Sequence, residues 1–224
     1  MSVNKLVMNV LVLGSGGREH ALSWKLAQSS QMEKLYIAPG NAGTATLGEN
    51  VELDPMDFVG IAEFVQANDV GIILVGPEQP LVAGIKDYFQ ARPEIKTSVI
   101  GPSASAARLE GSKSFAKQFM VKHNIPCAKS ETFTKSTKSK ASGFLATLKP
   151  PYVIKADGLA GGKGVVICET LKEAKVVVKD MLINGAYGDA GKKIVIEEFL
   201  PGIEVSMFVV TDGSGYKILP SAKD

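Results

Sequence analysis

Residues 152–168, YVIKADGLAGGKGVVIC, decide the fold of the second half of the chain. Two β-rich runs, YVIKAD and VVICE, flank a short loop that carries four glycines. Strands joined by so short a loop pair antiparallel. A helix from Leu171, with Thr170 and Glu173 in capping-box spacing at its start, and strands over 193–199 and 204–212 complete a predicted unit of the α+β class.

The glycine-rich loop Gly158–Gly164 is predicted to be a mobile flap. Its amides can fold over phosphates, and Lys155 and Lys163 provide point charges beside them. It is not a P-loop, because the glycine spacing differs, Lys163 is followed by glycine, and the loop leads into a strand. Strand alternation puts Lys155 on one face with Asp157, which leaves open that this lysine simply faces solvent.

The first hundred residues alternate β-rich apolar runs with helix-period segments, which predicts an open parallel sheet with helices packed across it. Asp54 is the predicted N-cap of one helix, and apolar spacing from Phe58 to Val65 gives that helix one buried face. The four predicted strands are Asn9–Leu13, Lys34–Ile37, Gly71–Val75 and Ser98–Ile100.

Two consecutive helices are predicted after Pro102, broken at Gly111, with Ser112 capping the second. The polar and basic stretch 134–142, TKSTKSKAS, is predicted to be a solvated loop that leads into a helix.

Composition excludes several classes of protein. With 45% hydrophobic residues, 21% charged residues and a formal net charge of +2, the chain has no basic stripe for nucleic acid. No segment approaches the length of a membrane span. The two cysteines, Cys127 and Cys168, and two histidines, His20 and His123, lack the close spacing of a zinc site. A reducing, cytoplasmic setting is therefore expected.

The glycines after the first predicted strand form the first candidate site. Gly16, Gly17 and Arg18 open a helix, and amides at a helix N-terminus favour an anion such as phosphate. A dinucleotide fingerprint would have glycine in place of Glu19 and an acid at the end of the second strand. A nicotinamide enzyme is therefore disfavoured, while a tight turn without ligand remains an alternative.

Two more segments place carboxylates where ligands bind. Glu78 comes shortly after a predicted strand, and in open α/β sheets ligands bind outside the carboxyl ends of the strands. Residues 196–204, IEEFLPGIE, can present backbone groups to an adenine edge and a carboxylate to ribose hydroxyls. A proline-shaped turn and an ordinary edge strand are the alternatives for these two segments.

Taken in order, these motifs resemble the glycinamide ribonucleotide synthetases of the ATP-grasp superfamily. The resemblance runs from about Met8 to the last residue and depends on the ordered set: GSGGREHA, APGNAGT, VGPEQPL, LEGSKSFAK, VIKADGLAGGKGV and IEEFLPGIEVS. It implies a pre-ATP-grasp domain over 1–101, linking helices over 102–124, a lobe with the flap over 125–196, and the start of a second lobe over 197–224.

The resemblance also implies a reaction and a set of site residues. Glycine and 5-phosphoribosylamine would be joined at the expense of ATP, through a glycyl phosphate, in purine biosynthesis. The implied ATP contacts are Lys113, Lys155, Lys163, Gly158, Gly161, Gly162, Glu197, Phe199, Leu200 and Glu204, with Lys155 and Lys163 as catalytic lysines. Gly16, Gly17 and Arg18 would face the phosphate of phosphoribosylamine, and Glu78 its ribose.

Members of that family continue beyond the position of Asp224. Mg²⁺ or Mn²⁺ is expected, with its carboxylate ligands beyond residue 224, so no metal ligand is assigned and these 224 residues are expected to be inactive alone. Partners are small molecules, without nucleic acid or membrane. Another ATP-grasp carboxylate-amine ligase and a non-catalytic nucleotide-binding module remain alternatives.

Overall fold

A computed structural model of the protein describes residues 7–223. The N-terminal unit is a five-stranded parallel sheet of order β3-β2-β1-β4-β5. The strands are β1 Met8–Gly14, β2 Met32–Pro39, β3 Glu49–Asn50, β4 Val70–Val75 and β5 Ser98–Ile100. The helices of this unit are α1 Gly17–Leu26, α2 Phe58–Ala67, α3 Glu78–Val82 and α4 Ile85–Gln90.

The central strand β1 explains why this sheet forms. Residues 10–13 are apolar and all buried, as expected when helices cover both faces of a parallel sheet. Val10 and Val12 pack with Leu26 on one face, and Leu11 and Leu13 lie in the cluster that α2 completes on the other. All four predicted strands are confirmed, and the two-residue β3 was not predicted.

The predicted start of α2 is wrong. Its N-cap is Asp57, whose carboxylate accepts from the backbone N–H of Gly60 at 3.0 Å, whereas Asp54 accepts from Met56 in a turn before the helix. The buried face is confirmed, since Ile61, Ala62 and Val65 are buried. Both aspartates suit a cap, but residues 54–57 form a separate turn, in which the N–H of Asp57 donates to the carbonyl of Asp54 at 2.9 Å, and the helix begins after it.

Two linking helices follow, α5 Ala104–Gly111 and α6 Lys113–Lys122, as predicted. The hydroxyl of Ser112 accepts from the N–H of Phe115 at 3.2 Å and caps α6. The first linking helix, α5, packs on α3 of the N-terminal unit, while α6 lies against the sheet of the second unit.

The second unit is an antiparallel sheet of order β6-β9-β7-β8, which confirms the predicted class. Its elements are β6 Ser130–Thr134, α7 Lys138–Leu145, β7 Tyr152–Ala156, β8 Val165–Cys168, α8 Leu171–Leu182 and β9 Lys193–Glu198. The Thr170–Glu173 capping box is confirmed. Helix α7 begins at Lys138, inside the stretch predicted to be a loop.

One strand predicted over 204–212 is two short strands instead. The first, β10 Val205–Ser206, pairs with β13 Ala222–Lys223, and the second, β11 Val209–Thr211, pairs with β12 Tyr216–Ile218. Each has a different partner, so no common sheet carries the strand through Met207 and Phe208. Within residues 7–223, no helix is long and apolar enough to cross a membrane.

Candidate functional site

The second sheet has one apolar face and one charged face. Ile154 and Ile196 lie with Phe133 in the core that α7 and α8 cover. The opposite face, which we call the site face, carries Val153, Lys155 and Asp157 of β7 and its extension, Val195 and Glu197 of β9, and Val165 and Ile167 of β8. Helix α6 lies against β9 and brings its lysines to this face.

A buried carboxylate holds two lysines at the centre of the site face. Glu197 Oε2 lies 3.1 Å from Lys117 Nζ and 3.2 Å from Lys155 Nζ. The side chain of Glu197 is 6% exposed and that of Lys155 is 28% exposed. Lys155 therefore does not simply face solvent: its ammonium is fixed at the edge of the cluster, where a ligand can reach it.

A second buried carboxylate joins the stem of the flap to α6. Asp157 is 8% exposed and accepts from the backbone N–H of Ser114 and from the hydroxyls of Ser112 and Ser114, both at 3.1 Å. Lys193 Nζ lies 3.4 Å from its Oδ2. A carboxylate at a helix N-terminus is stabilised by the amides and dipole there.

Lys113 and the flap are already in contact. Lys113 Nζ donates to the carbonyl of Gly158 at 3.2 Å. Within the flap, Gly161 and Gly162 have φ of +54° and +76°, a conformation that favours glycine, and their α-carbons face open space. Lys163 is exposed. The flap is therefore anchored at its stem and unpacked at its tip.

The site face carries excess positive charge. Four lysines surround two carboxylates, which leaves two net positive charges (4 − 2) at this face. The lysines are Lys113, Lys117, Lys155 and Lys193, and the carboxylates are Asp157 and Glu197. Such a surplus, next to a glycine-rich flap, favours a polyanion such as a polyphosphate.

Three residues that were predicted to contact ATP lie beyond the end of β9. Phe199 and Leu200 are 41% and 61% exposed, and Glu204 is exposed as well. The first two follow β9 at the end of the sheet where Ile167 of β8, which is 53% exposed, also lies. The structure does not bring Glu204 into contact with the lysine cluster.

The predicted anion site of the first unit lies between β1 and β4, where the strand order reverses. Arg18 and Glu78 come together there, with 3.7 Å between the guanidinium and Glu78 Oε2. The N–H of Gly16 is not free, because it donates to Glu19 Oε2 at 2.7 Å. Gly17 and Arg18, in the first helical turn, keep amides without intrahelical partners.

Glu19 occupies the position where the dinucleotide fingerprint has its third glycine. It is 4% exposed, and its carboxylate fills the space beside Gly14 and Gly76. The Glu19 side chain fills the space that the third glycine of the fingerprint leaves open for close packing, which gives a physical reason against a dinucleotide.

Several residues of the site were not predicted: Lys117, Lys193, Ser114, Asp157 and Glu19. Lys117 follows Lys113 by four residues, which places both on one side of α6 and is a usable sequence signal. Asp157 shares the strand alternation of Lys155, and its role needed the position of α6 to be known.

Burial changes the pKa of one of the two cysteines, and the described residues form no cluster of potential metal ligands. Burial, with a smaller contribution from Glu173, raises the pKa of the Cys168 thiol above its usual value. Both cysteines are free. In the part of the chain that the structure describes, no group of three or more potential metal-ligating side chains comes together.

Comparison with known proteins places these features in one family. The family model of the phosphoribosylglycinamide synthetase N domain matches residues 8–110, and that of the ATP-grasp (A) domain of the same synthetase matches residues 111–224. Phosphoribosylamine–glycine ligase of Yersinia pestis is 50% identical over 218 residues, which are 96% of this chain and 49% of that protein. The ligase of Pasteurella multocida is 47% identical over 219 residues, 97% of this chain and 50% of that protein.

Solved structures agree at the level of the fold. Phosphoribosylamine–glycine ligase of Thermotoga maritima matches with a TM-score of 0.74 and 33% identity, over 95% of this chain and 49% of that one. An ADP complex of N5-carboxyaminoimidazole ribonucleotide synthetase matches with a TM-score of 0.68 at 18% identity, over 99% of this chain and 56% of that one. The chain spans about half the length of the curated relatives it matches. It belongs to the phosphoribosylglycinamide synthetase family.

Proposed function

We propose that this chain carries the phosphoribosylamine side and one nucleotide-binding lobe of an ATP-dependent ligase. The ligase joins glycine to 5-phosphoribosylamine and releases glycinamide ribonucleotide, ADP and phosphate, a step of purine biosynthesis. The observation that carries the proposal is the lysine cluster on the site face beneath an anchored flap of glycines. The match of two family models in tandem supports the choice of reaction.

The chemistry answers a specific difficulty. A glycine carboxylate is a poor electrophile, so an amine does not attack it at neutral pH. Transfer of the γ-phosphoryl group from ATP to a carboxylate oxygen gives glycyl phosphate and ADP. The amine of phosphoribosylamine then attacks the carbonyl carbon, the C–O bond to phosphate breaks, and the nitrogen loses a proton.

The nucleotide contacts are proposed on the site face. Lys113 and Lys155 neutralise the phosphates, and the flap, with Gly158, Gly161, Gly162 and Lys163, closes over them. Lys113 must then exchange the carbonyl of Gly158 for a phosphate oxygen. Glu197 was expected at the adenine, but its carboxylate is buried between Lys117 and Lys155. We therefore propose that the backbone at Phe199 and Leu200 meets the adenine and that Glu204 meets the ribose.

The phosphoribosylamine contacts are proposed on the first unit. The amides of Gly16 and Gly17 and the guanidinium of Arg18 were expected at its phosphate, and we now propose Gly17 and Arg18 alone, because Glu19 holds the amide of Gly16. Glu78, which is half-buried, accepts from the ribose hydroxyls.

Mg²⁺ is proposed as the metal that accompanies ATP. The steps above use only this chain's own side chains and amides. We propose the reducing cytoplasm as the compartment, and the presence of two free thiols, one of them buried, supports it.

The test is ADP release by the full-length protein with ATP, glycine and phosphoribosylamine. Release is expected only when both co-substrates are present, with glycinamide ribonucleotide identified by mass. Release with a different acid or amine would indicate another ATP-grasp ligase. Nucleotide binding without any release would indicate a non-catalytic module.

A further inference from the structure

Glu19 is a buried carboxylate for which the proposed reaction has no role. It is the third residue of α1, and its Oε2 accepts from the N–H of Gly16 at 2.7 Å. Its Oε1 accepts from Arg18 Nε at 2.9 Å. With 4% of its surface exposed, it is out of reach of a ligand and acts only through these neighbours.

Glycines from both strand ends make room for this carboxylate. A β-carbon at Gly14, the last residue of β1, would lie 2.6 Å from Glu19 Cγ. One at Gly76, directly after β4, would lie 2.2 Å from Glu19 Oε1, and one at Gly16 would lie 2.9 Å from Oε2. Three glycines thus accommodate Glu19, and its position at the ends of β1 and β4 follows from their lack of side chains.

The contact with Glu19 fixes the orientation of the Arg18 side chain. The Arg18 side chain is 60% exposed, and a free arginine there would sample many rotamers. Its Nε is held by Glu19, and its Nη2 lies 3.7 Å from Glu78 Oε2. A guanidinium has five N–H donors, so the others remain available to an incoming anion.

We infer that Glu19 is a positioning residue that aims Arg18 at the phosphate of the amine substrate. This inference rests on the proposed function, because Arg18 needs a phosphate to bind. Glu19 takes no part in nucleotide binding, since the lysine cluster lies on the other unit of the chain.

The test is Glu19→Gln in the full-length protein, which keeps the size of the side chain and removes its charge. The KM for phosphoribosylamine is expected to rise about tenfold or more, because a charge-assisted bond to Arg18 is lost. The KM values for ATP and glycine should stay within about twofold. Glu63→Gln, on the exposed side of α2, is the matched control and should change none of them.

A double-mutant cycle separates positioning from general support of the fold. If Glu19 acts through Arg18, Glu19→Gln should add little to the KM of an Arg18→Ala protein. Independent, multiplicative effects would overturn the inference, as would an equal rise in the KM for ATP or no change at all. Should Glu19→Gln not fold, Glu19→Asp withdraws the carboxylate by one methylene, and the same rise in KM is expected. If the wild-type protein makes no glycinamide ribonucleotide, the proposed function has failed instead.

Discussion

The carboxylate of Asp157 accepts a hydrogen bond from the backbone N–H of Ser114 and so ties the flap to the first turn of α6. The two residues are far apart in sequence and come from different elements. The backbone carbonyl of Asp157 also accepts from the N–H of Lys113 at 3.2 Å. The flap and the lysine proposed to bind phosphate beneath it are therefore parts of one hydrogen-bonded assembly.

Asp157→Asn should destabilise the fold by about 1–3 kcal/mol, because the buried charge, its helix-terminal partners and the pair with Lys193 are lost together. Denaturant unfolding measures this. Asp180→Asn is the control, since the Asp180 carboxylate bonds an exposed asparagine, and a change under about 0.5 kcal/mol is expected. Equal changes in the free energy of unfolding for the two substitutions would contradict the conclusion that the buried Asp157 carboxylate stabilises the fold.

Lys155→Met should lower nucleotide affinity by about 10- to 100-fold, because a charge-assisted contact to phosphate is lost. The fold should survive, since Glu197 keeps Lys117 as its partner. Calorimetric titration with ATP measures the affinity. Lys179→Met, on the exposed side of α8, removes the same charge far from the site and should bind as the wild type does. Unchanged binding by Lys155→Met would remove this lysine from the site.

Glu78→Ala should weaken use of phosphoribosylamine by about 10- to 150-fold and leave ATP affinity nearly intact. The reason is that Glu78 lies beside Arg18 on the first unit, away from the lysine cluster. Steady-state kinetics with each substrate varied in turn give both values. An equal loss for ATP would count against this assignment.

Gly76→Ala should destabilise the fold by about 1–3 kcal/mol, because the new methyl group overlaps the Glu19 carboxylate and breaks its two hydrogen bonds. Gly143→Ala is the matched control, since its β-carbon meets nothing within 4 Å and alanine favours the helix α7. That control should stabilise by about 0.5–1 kcal/mol. Thermal unfolding of both variants measures whether Gly76→Ala destabilises the protein and Gly143→Ala stabilises it.

Cys168 should resist alkylation at pH 8 while Cys127 reacts. Burial raises the pKa of the Cys168 thiol, so its thiolate fraction at this pH is below that of an ordinary cysteine, and the thiolate is the reacting form. The alkylation rate of Cys168 should increase only as the pH rises further. Iodoacetamide labelling followed by mass spectrometry of each peptide measures the rates. Equal labelling at pH 8 would contradict the buried position of this thiol.

Much of the architecture is visible in the sequence because it depends on local chemistry. The caps at Ser112 and Thr170 and the antiparallel pairing around the flap follow from neighbouring residues, and all three are present. The choice between Asp54 and Asp57 as the cap of α2 was wrong, because both have the right side chain. In the structure Asp54 lies in a separate turn, and the helix begins after Asp57.

Tertiary structure alone decided which charges meet. Lys117 reaches Glu197 only because α6 packs across β9, and Glu19 is buried only because Gly14 ends β1 and Gly76 follows β4 at the same edge of the sheet. Propensity and spacing reflect contacts a few residues apart, so the sequence by itself determined most strands of the two sheets, the caps at Ser112 and Thr170 and the glycine-rich loop between β7 and β8. The partners of the buried carboxylates depend on how separate elements pack, since a charge is buried only where packing supplies its counter-charge or hydrogen bonds.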